Sequence, residues 1–238
     1  MKYENYVFDL YGTLIDIHTD EEDEKAWEKI TLFYKEQGAD YTPDELKANY
    51  KRLVKEESKK VSEIQIDKVF ARMYADKGVK AADELVLDTC HKFREYTTEY
   101  IRLYSGAEEL LKRLKEAGKN VYLLSNAQRS FTERELEMTG IKSYFDVIFI
   151  SSDHGVKKPQ KEFFRSLIDR CGIDPAESIM IGNDETCDIQ GAQKVGMDTL
   201  YIHSNISPEY TGKVNPTYTF LEMPDDLTEI IKCIVTNL

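Results

Sequence analysis

The feature that most constrains this chain is a regular alternation that begins after Tyr104. Short apolar runs take turns with amphipathic stretches, and a glycine closes each amphipathic stretch. Residues 106–117 read as a helix stopped by Gly118, 121–124 as a strand ending in Ser125-Asn126, and 131–138 as a helix stopped by Gly140. Residues 145–150 read as a strand ending in Ser151-Ser152-Asp153, and 162–170 as a helix stopped by Gly172. A strand at 178–181 ends in Gly182-Asn183-Asp184, a helix at 189–195 stops at Gly196, and 199–202 is a further strand. Such repetition is the mark of βαβ units, which predicts an α/β fold with a Rossmann-like parallel sheet between two helical layers. Its crossovers should be right-handed.

Tyr6-Val7-Phe8 is a short apolar run that ends in Asp9 and breaks at Gly12-Thr13, as a central strand with a polar tip does. From 17 to 100 the pattern is helical instead. Trp27, Ile30, Phe33 and Tyr34 recur at helical spacing, and Thr42-Pro43-Asp44-Glu45 combines an N-cap threonine, a first-turn proline and a glutamate three residues after the cap. No convincing strand is visible there. The expected organisation is a core of 1–16 and 101–238, with an all-helical cap of 17–100 inserted between them. The connections near 16–17 and 100–104 would serve as hinges, and a module that leaves the core beside a strand tip is placed to act as a lid.

Composition excludes several classes. The chain has 238 residues, 32 Lys plus Arg against 44 Asp plus Glu, and a formal charge of −12. A nucleic-acid partner is not expected, since phosphate-backbone binding needs a basic face. No apolar run is long enough to span a bilayer, and the N-terminal stretch, interrupted by Asp9, is a poor signal peptide. The expectation is a cytoplasmic, soluble protein, monomer or homodimer, with no membrane partner. Cys90, Cys171, Cys187 and Cys233 are scattered without metal or disulfide spacing.

Polar residues end several strands, and open α/β sheets bind ligands at the carboxyl ends of their strands. Three segments stand out: Asp9-Leu10-Tyr11-Gly12-Thr13-Leu14; Ser125-Asn126; and Lys157-Lys158-Pro159 followed by Gly182-Asn183-Asp184-Glu185-Thr186-Cys187-Asp188. Taken singly, each has an ordinary structural explanation. Ser125 can cap a helix, Asp188 can face a helix dipole, and Lys157 competes with Lys158.

Together and in this order, the segments resemble the haloacid dehalogenase superfamily, with the helical insert in the place of its cap. The resemblance implies a hydrolase in which Asp9 is the nucleophile, forming an aspartyl-phosphate if the substrate is a small phosphorylated metabolite. It implies Mg²⁺ held by the side chains of Asp9 and Asp184, by Asp188 directly or through water, and by the backbone carbonyl of Tyr11. Asn183 stands where many relatives carry the first aspartate of that motif, so the ligand is Asn183 or Asp184. Lys158, Ser125 and the neighbouring Asn126 would face the phosphate oxygens, and Gly12 and Thr13 would hold the turn.

Tyr11 departs from the phosphatase pattern, which has an aspartic acid–base there. A phenol titrates near 10 and is a poor base at neutral pH. The D-x-Y-G-T-L run is also similar to 2-haloacid dehalogenases, which use an Asp ester and no metal. The acidic segment 184–188 favours a cation site, because so many carboxylates beside Asp9 repel one another. A catalytically weak binding or regulatory protein is the third reading.

Overall fold

The computed structural model describes residues 2–235; Met1 and residues 236–238 of the expected core segment lie outside the described residues. Its centre is a six-stranded parallel sheet. The strands are β1 (Asn5–Phe8), β4 (Asn120–Ser125), β5 (Val147–Ile150), β6 (Ser178–Gly182), β7 (Asp198–Ile202) and β8 (Tyr218–Phe220), in the order β5-β4-β1-β6-β7-β8. β1 is buried along its whole length, as a strand with helices on both faces must be. Its side chains alternate between two apolar layers. Tyr6 and Phe8 join Leu110, Leu111 and Leu114 of α5 (Ala107–Glu116) and Leu136 of α6 (Arg129–Met138). Val7 joins Phe163, Phe164 and Leu167 of α8 (Lys161–Cys171). The expected αβα layering is therefore present. The helix stop at Gly172 is also as expected, with a φ of 63° that a side chain would resist.

In-register pairing puts Phe8 opposite both Leu123 and Ile181, so the strand ends carrying Asp9, Ser125 and Gly182 finish side by side. The chain runs from β1 outward to β5 and then returns to β6 on the other side of β1. This reversal opens a crevice above β1 at the carboxyl ends of the strands.

Four helices fill much of the insert: α1 (Glu24–Glu36), α2 (Pro43–Glu57), α3 (Ile66–Asp76) and α4 (Asp83–Thr97). They bury an apolar cluster of their own, built on Trp27, Tyr34, Leu53, Phe70, Met73 and Phe93, which reaches the sheet half of the molecule through Phe131 of α6. α2 starts at a capping box in which Thr42 and Glu45 satisfy each other's backbone N–H.

The structure corrects the reading of 17–100 as strand-free. β2 (Ile15–Thr19) and β3 (Thr98–Leu103) form an antiparallel ribbon through both connections, with Ile15 opposite Leu103 and Ile17 opposite Ile101. Buried Asp16 ties the ribbon. It accepts from Arg102 at 2.9 and 2.7 Å, from Tyr100 at 3.2 Å and from Asn205 at 2.9 Å. The connections are thus paired with each other, which neither short segment reveals alone. Three other readings change. Residues 151–154 form α7 (Ser151–His154), one turn past β5; the helix read at 189–195 begins earlier as a wide π-type turn, Glu185–Gln190, followed by α9 (Gly191–Gln193); and β8 and α10 (Glu229–Val235) were not foreseen.

Candidate active site

Asp9 is the first residue after β1, and its N–H donates to the Ile181 carbonyl at 2.9 Å. Behind it the chain curls tightly, with the N–H groups of Thr13, Leu14 and Ile15 all directed at the Leu10 carbonyl. Gly12 makes that curl possible in two ways. Its φ is 82°, and a Cβ there would lie 2.2 Å from Asn183 Nδ2. The loop after β1 and the loop after β6 therefore touch through a position that admits no side chain.

Lys158 brings the distant segments together. It is only 2 % exposed, and its Nζ lies 2.6 Å from Asp9 Oδ1 and 2.7 Å from Asp188 Oδ1. Asn126 fixes its backbone from both sides: Lys158 N–H donates to Asn126 Oδ1 at 2.8 Å, and Asn126 Nδ2 donates to the Lys158 carbonyl at 3.0 Å. Asn126 thus holds the Lys158 backbone in place. Lys157 turns away and pairs with Glu63 at 3.3 Å.

Asp188 rather than Asp184 is the carboxylate that meets Asp9 across the lysine. Asp184 Oδ1 accepts from the N–H groups of Thr186 and Cys187, both at 2.8 Å, and so caps the wide turn. Asp188 packs against Gly182, where a Cβ would come within 2.3 Å of its Oδ2, and accepts from Asp184 N–H at 3.0 Å. Burial pushes its carboxyl up to about 7; Lys158 opposes that shift and Asp9 reinforces it. Burial works against the charge on Lys158 as well, but the two carboxylates outweigh it and hold the ammonium above its ordinary range.

Asn183 is buried, and its Nδ2 is 3.2 Å from Ser207 Oγ, in the loop after β7. The hydroxyls of Ser125 and Thr13 are buried without a hydrogen-bond partner among the described residues. Asp9, Tyr11, Asn126, Lys158, Asn183, Asp184 and Asp188 border one cavity of about 270 Å³, together with Cys187, Ile206 and Pro208. Burial and the nearby Asp184 push the Cys187 thiol up to about 12, so it is no ready nucleophile. Asp153 stands apart, bound to Arg129 Nε at 2.9 Å.

The phenol of Tyr11 is engaged elsewhere. It donates to Glu135 Oε2 on α6 and lies 3.0 Å from Thr132 Oγ1, while Glu135 Oε1 accepts from Arg94 of α4 at 2.6 Å. Burial, then the charge of Glu135, holds the phenol far above its ordinary range. Glu135 and Arg94 were absent from the sequence reading, since one glutamate and one arginine inside polar helices carry no signal.

Among the described residues no three His, Cys, Asp or Glu side chains converge as a metal cluster. The donors at the cavity are the oxygens of two buried carboxylates and an amide, and the two carboxylates share one ammonium. An all-oxygen site with surplus negative charge suits Mg²⁺, which binds through one or two carboxylates and keeps waters for the rest.

A strand-tip carboxylate held by a buried lysine at the carboxyl ends of a parallel sheet, in a chain whose first strand is followed by four helices, defines a hydrolase of the haloacid dehalogenase type. The family model for haloacid dehalogenase-like hydrolases matches residues 3–196, and the chain belongs to that family. It is 27 % identical over 231 residues to the HAD-hydrolase YfnB of Bacillus subtilis, covering 94 % of each chain. It is 26 % identical to the pyrimidine 5′-nucleotidase PynA of Streptococcus pneumoniae, over 100 % of this chain and 98 % of that one. Among solved structures, magnesium-bound YfnB superposes with a TM-score of 0.59 at 24 % identity, covering 99 % and 100 % of the two chains. The 2-haloacid dehalogenase of Pseudomonas syringae superposes with 0.67 at 19 % identity, covering 98 % of each, a likeness of fold. The protein is therefore a hydrolase with phosphatases among its relatives, and no helix among the described residues is long and apolar enough to cross a membrane.

Proposed function

We propose that the protein is a Mg²⁺-dependent phosphatase that cleaves a small phosphorylated metabolite through an aspartyl-phosphate on Asp9. The observation that carries this reading is the buried Asp9–Lys158–Asp188 array at the carboxyl ends of β1 and β6. Asp9, Asp188, Asn183 Oδ1 and the Tyr11 carbonyl would hold the ion, with Asp184 joining through water. Bound there, Mg²⁺ would neutralise phosphate charge and let an anionic nucleophile approach an anionic substrate.

Asp9 then attacks phosphorus and the alcohol leaves; water later hydrolyses the acyl phosphate and regenerates the carboxylate. Lys158 moves from its two carboxylates to the incoming phosphate oxygens, where its charge counts most as the transition state forms. The hydroxyl of Ser125, buried at the end of β4 without a partner among the described residues, would donate to the same oxygens, and Thr13 would hold the loop. Asn126 keeps Lys158 aimed. Residues 17–100 act as the cap that closes over the crevice and excludes water. The full-length likeness to a pyrimidine 5′-nucleotidase makes nucleoside monophosphates the first substrates to try. Four free cysteines support a reducing, cytoplasmic setting.

The Asp9-x-Tyr11 pattern favours a second reading, a metal-independent 2-haloacid dehalogenase. Asp184, a further carboxylate bordering the cavity beside Asp9, Asp188 and their single ammonium, favours the phosphatase. The test is phosphate release from an aryl phosphate with Mg²⁺, with EDTA and with Asp9→Asn, beside halide release from 2-chloropropionate. Mg²⁺-dependent phosphate release lost in Asp9→Asn establishes the proposal. Metal-independent halide release replaces it with the dehalogenase, and silence in both assays leaves a narrow-specificity enzyme or a binding protein.

A further inference from the structure

A second cavity, of about 310 Å³, lies where the end of α4 and the start of β3 face α6. It shares no lining residue with the cavity at Asp9. Phe131, Ile101 and Met138 give it an apolar wall, and Met138 is 62 % exposed, a large apolar side chain left open at the rim.

The charges around this wall are unevenly satisfied. Its three glutamates already have cationic or imidazole partners: Glu135 has Arg94 at 2.6 Å, Glu99 has His18 Nδ1 at 3.0 Å, and Glu95 has Lys92 at 3.5 Å. Arg134, exposed on α6, makes no ion pair or hydrogen bond among the described residues. His91 and Arg134 both line the cavity, and burial and the charge of Arg134 hold the His91 imidazole below its ordinary value. The volume is that of a small-molecule site, and its lining pairs an apolar slot with a guanidinium that has no ion-pair or hydrogen-bond partner among the described residues.

We propose that this cavity is a ligand site for a small amphipathic anion, whose apolar body lies on Phe131, Ile101 and Met138 and whose anionic head meets Arg134. The site is separate from the reaction centre yet coupled to it by contact. Glu135 borders this cavity, Tyr11 borders the one at Asp9, and the Tyr11–Glu135 hydrogen bond joins them. Binding here does not depend on Asp9 being the nucleophile.

The test uses the full chain and 8-anilinonaphthalene-1-sulfonate as probe, with neutral N-phenyl-1-naphthylamine beside it. The expected result is saturable fluorescence at one dye per chain. Arg134→Glu should weaken the sulfonate by about tenfold or more, the loss of one charge-assisted contact, and leave the neutral dye nearly unchanged. Met138→Asp should weaken both dyes, and Asp9→Asn neither. Arg165→Glu, the same charge change at an exposed position of α8, should have no effect. Non-saturating fluorescence, indifference to Arg134→Glu, or an equal loss in Arg165→Glu overturns the proposal. Arg134 and Arg165 are both exposed, and an unchanged melting temperature checks that each variant is folded.

Discussion

The hydroxyl of Tyr11 donates to the buried carboxylate of Glu135, which also accepts from Arg94. Tyr11 is two residues from Asp9, Glu135 lies on a helix of the sheet layer, and Arg94 lies on the last helix of the insert. The bond joins the loop after β1 to both halves of the molecule, and it spends the phenol proton on a structural partner.

A phenol so engaged neither protonates a leaving alcohol nor takes a proton from water. Phosphate release should therefore depend steeply on the leaving group, with aryl phosphates turned over about 10²-fold or more faster than alkyl phosphates, the usual worth of general acid catalysis. Tyr11→Phe should keep that dependence and lose about 1–3 kcal/mol of stability, because Glu135 loses a donor in a buried site. Rates across a series of esters, with urea unfolding of the variant, check both; a Tyr11→Phe enzyme indifferent to leaving group would contradict this account.

Lys158 separates two buried carboxylates. Lys158→Met leaves them facing each other unpaired, which should cost about 3–5 kcal/mol without metal. Activity should fall by about 10²–10³-fold, the scale for losing one preorganised charge contact to the transition state. Added Mg²⁺ should restore much of the lost stability and little of the activity. Thermal melts with and without EDTA, beside turnover, separate the two effects.

The carboxyl of Asp188 is raised from an ordinary value of 3.8 to about 7, by burial first and Asp9 second. A group raised in the folded state contributes stability that is complete below its unfolded value and lost as pH rises through its folded value. In EDTA, stability should therefore fall as pH climbs from about 4 to about 8, by up to about 4 kcal/mol from this group. Asp188→Asn should flatten the profile. Denaturant midpoints at several pH values are the measurement.

Asn126 grips the Lys158 backbone through one acceptor and one donor. Asn126→Asp keeps the bond from Lys158 N–H and loses the bond to its carbonyl, whereas Asn126→Ala loses both. Stability should fall in that order, by about 1 and about 2–3 kcal/mol. Turnover should fall with an unchanged pH profile, as expected when a residue acts through the aim of another. Equal losses in the two variants would argue against the clamp.

Much of the architecture follows from short-range patterns. Helix stops such as Gly172, the Thr42–Glu45 box and the fully apolar run before Asp9 each act within a few residues, so the alternation of strands and helices and the strand tips that bear Asp9 and Ser125 can be read along the chain. The place directly before Pro159 favours Lys158 over Lys157, and the fold sets the Lys158 ammonium between Asp9 and Asp188. Tertiary structure decided what depends on distant partners. The β2–β3 ribbon forms because Ile15-Asp16-Ile17 meets Ile101-Arg102-Leu103 across the whole insert, and neither strand has a reason to be extended alone. Asp184 and Asp188 are near neighbours of one residue type. Asp184 reaches the N–H groups of its own turn, while Asp188 is carried under Gly182 to the lysine, and only the folded path of 182–188 distinguishes them. Glu135 had no local signature at all. Its role arises because α6 packs where Tyr11 and Arg94 arrive together, and a buried carboxylate must be satisfied by whatever donors the packing brings within reach.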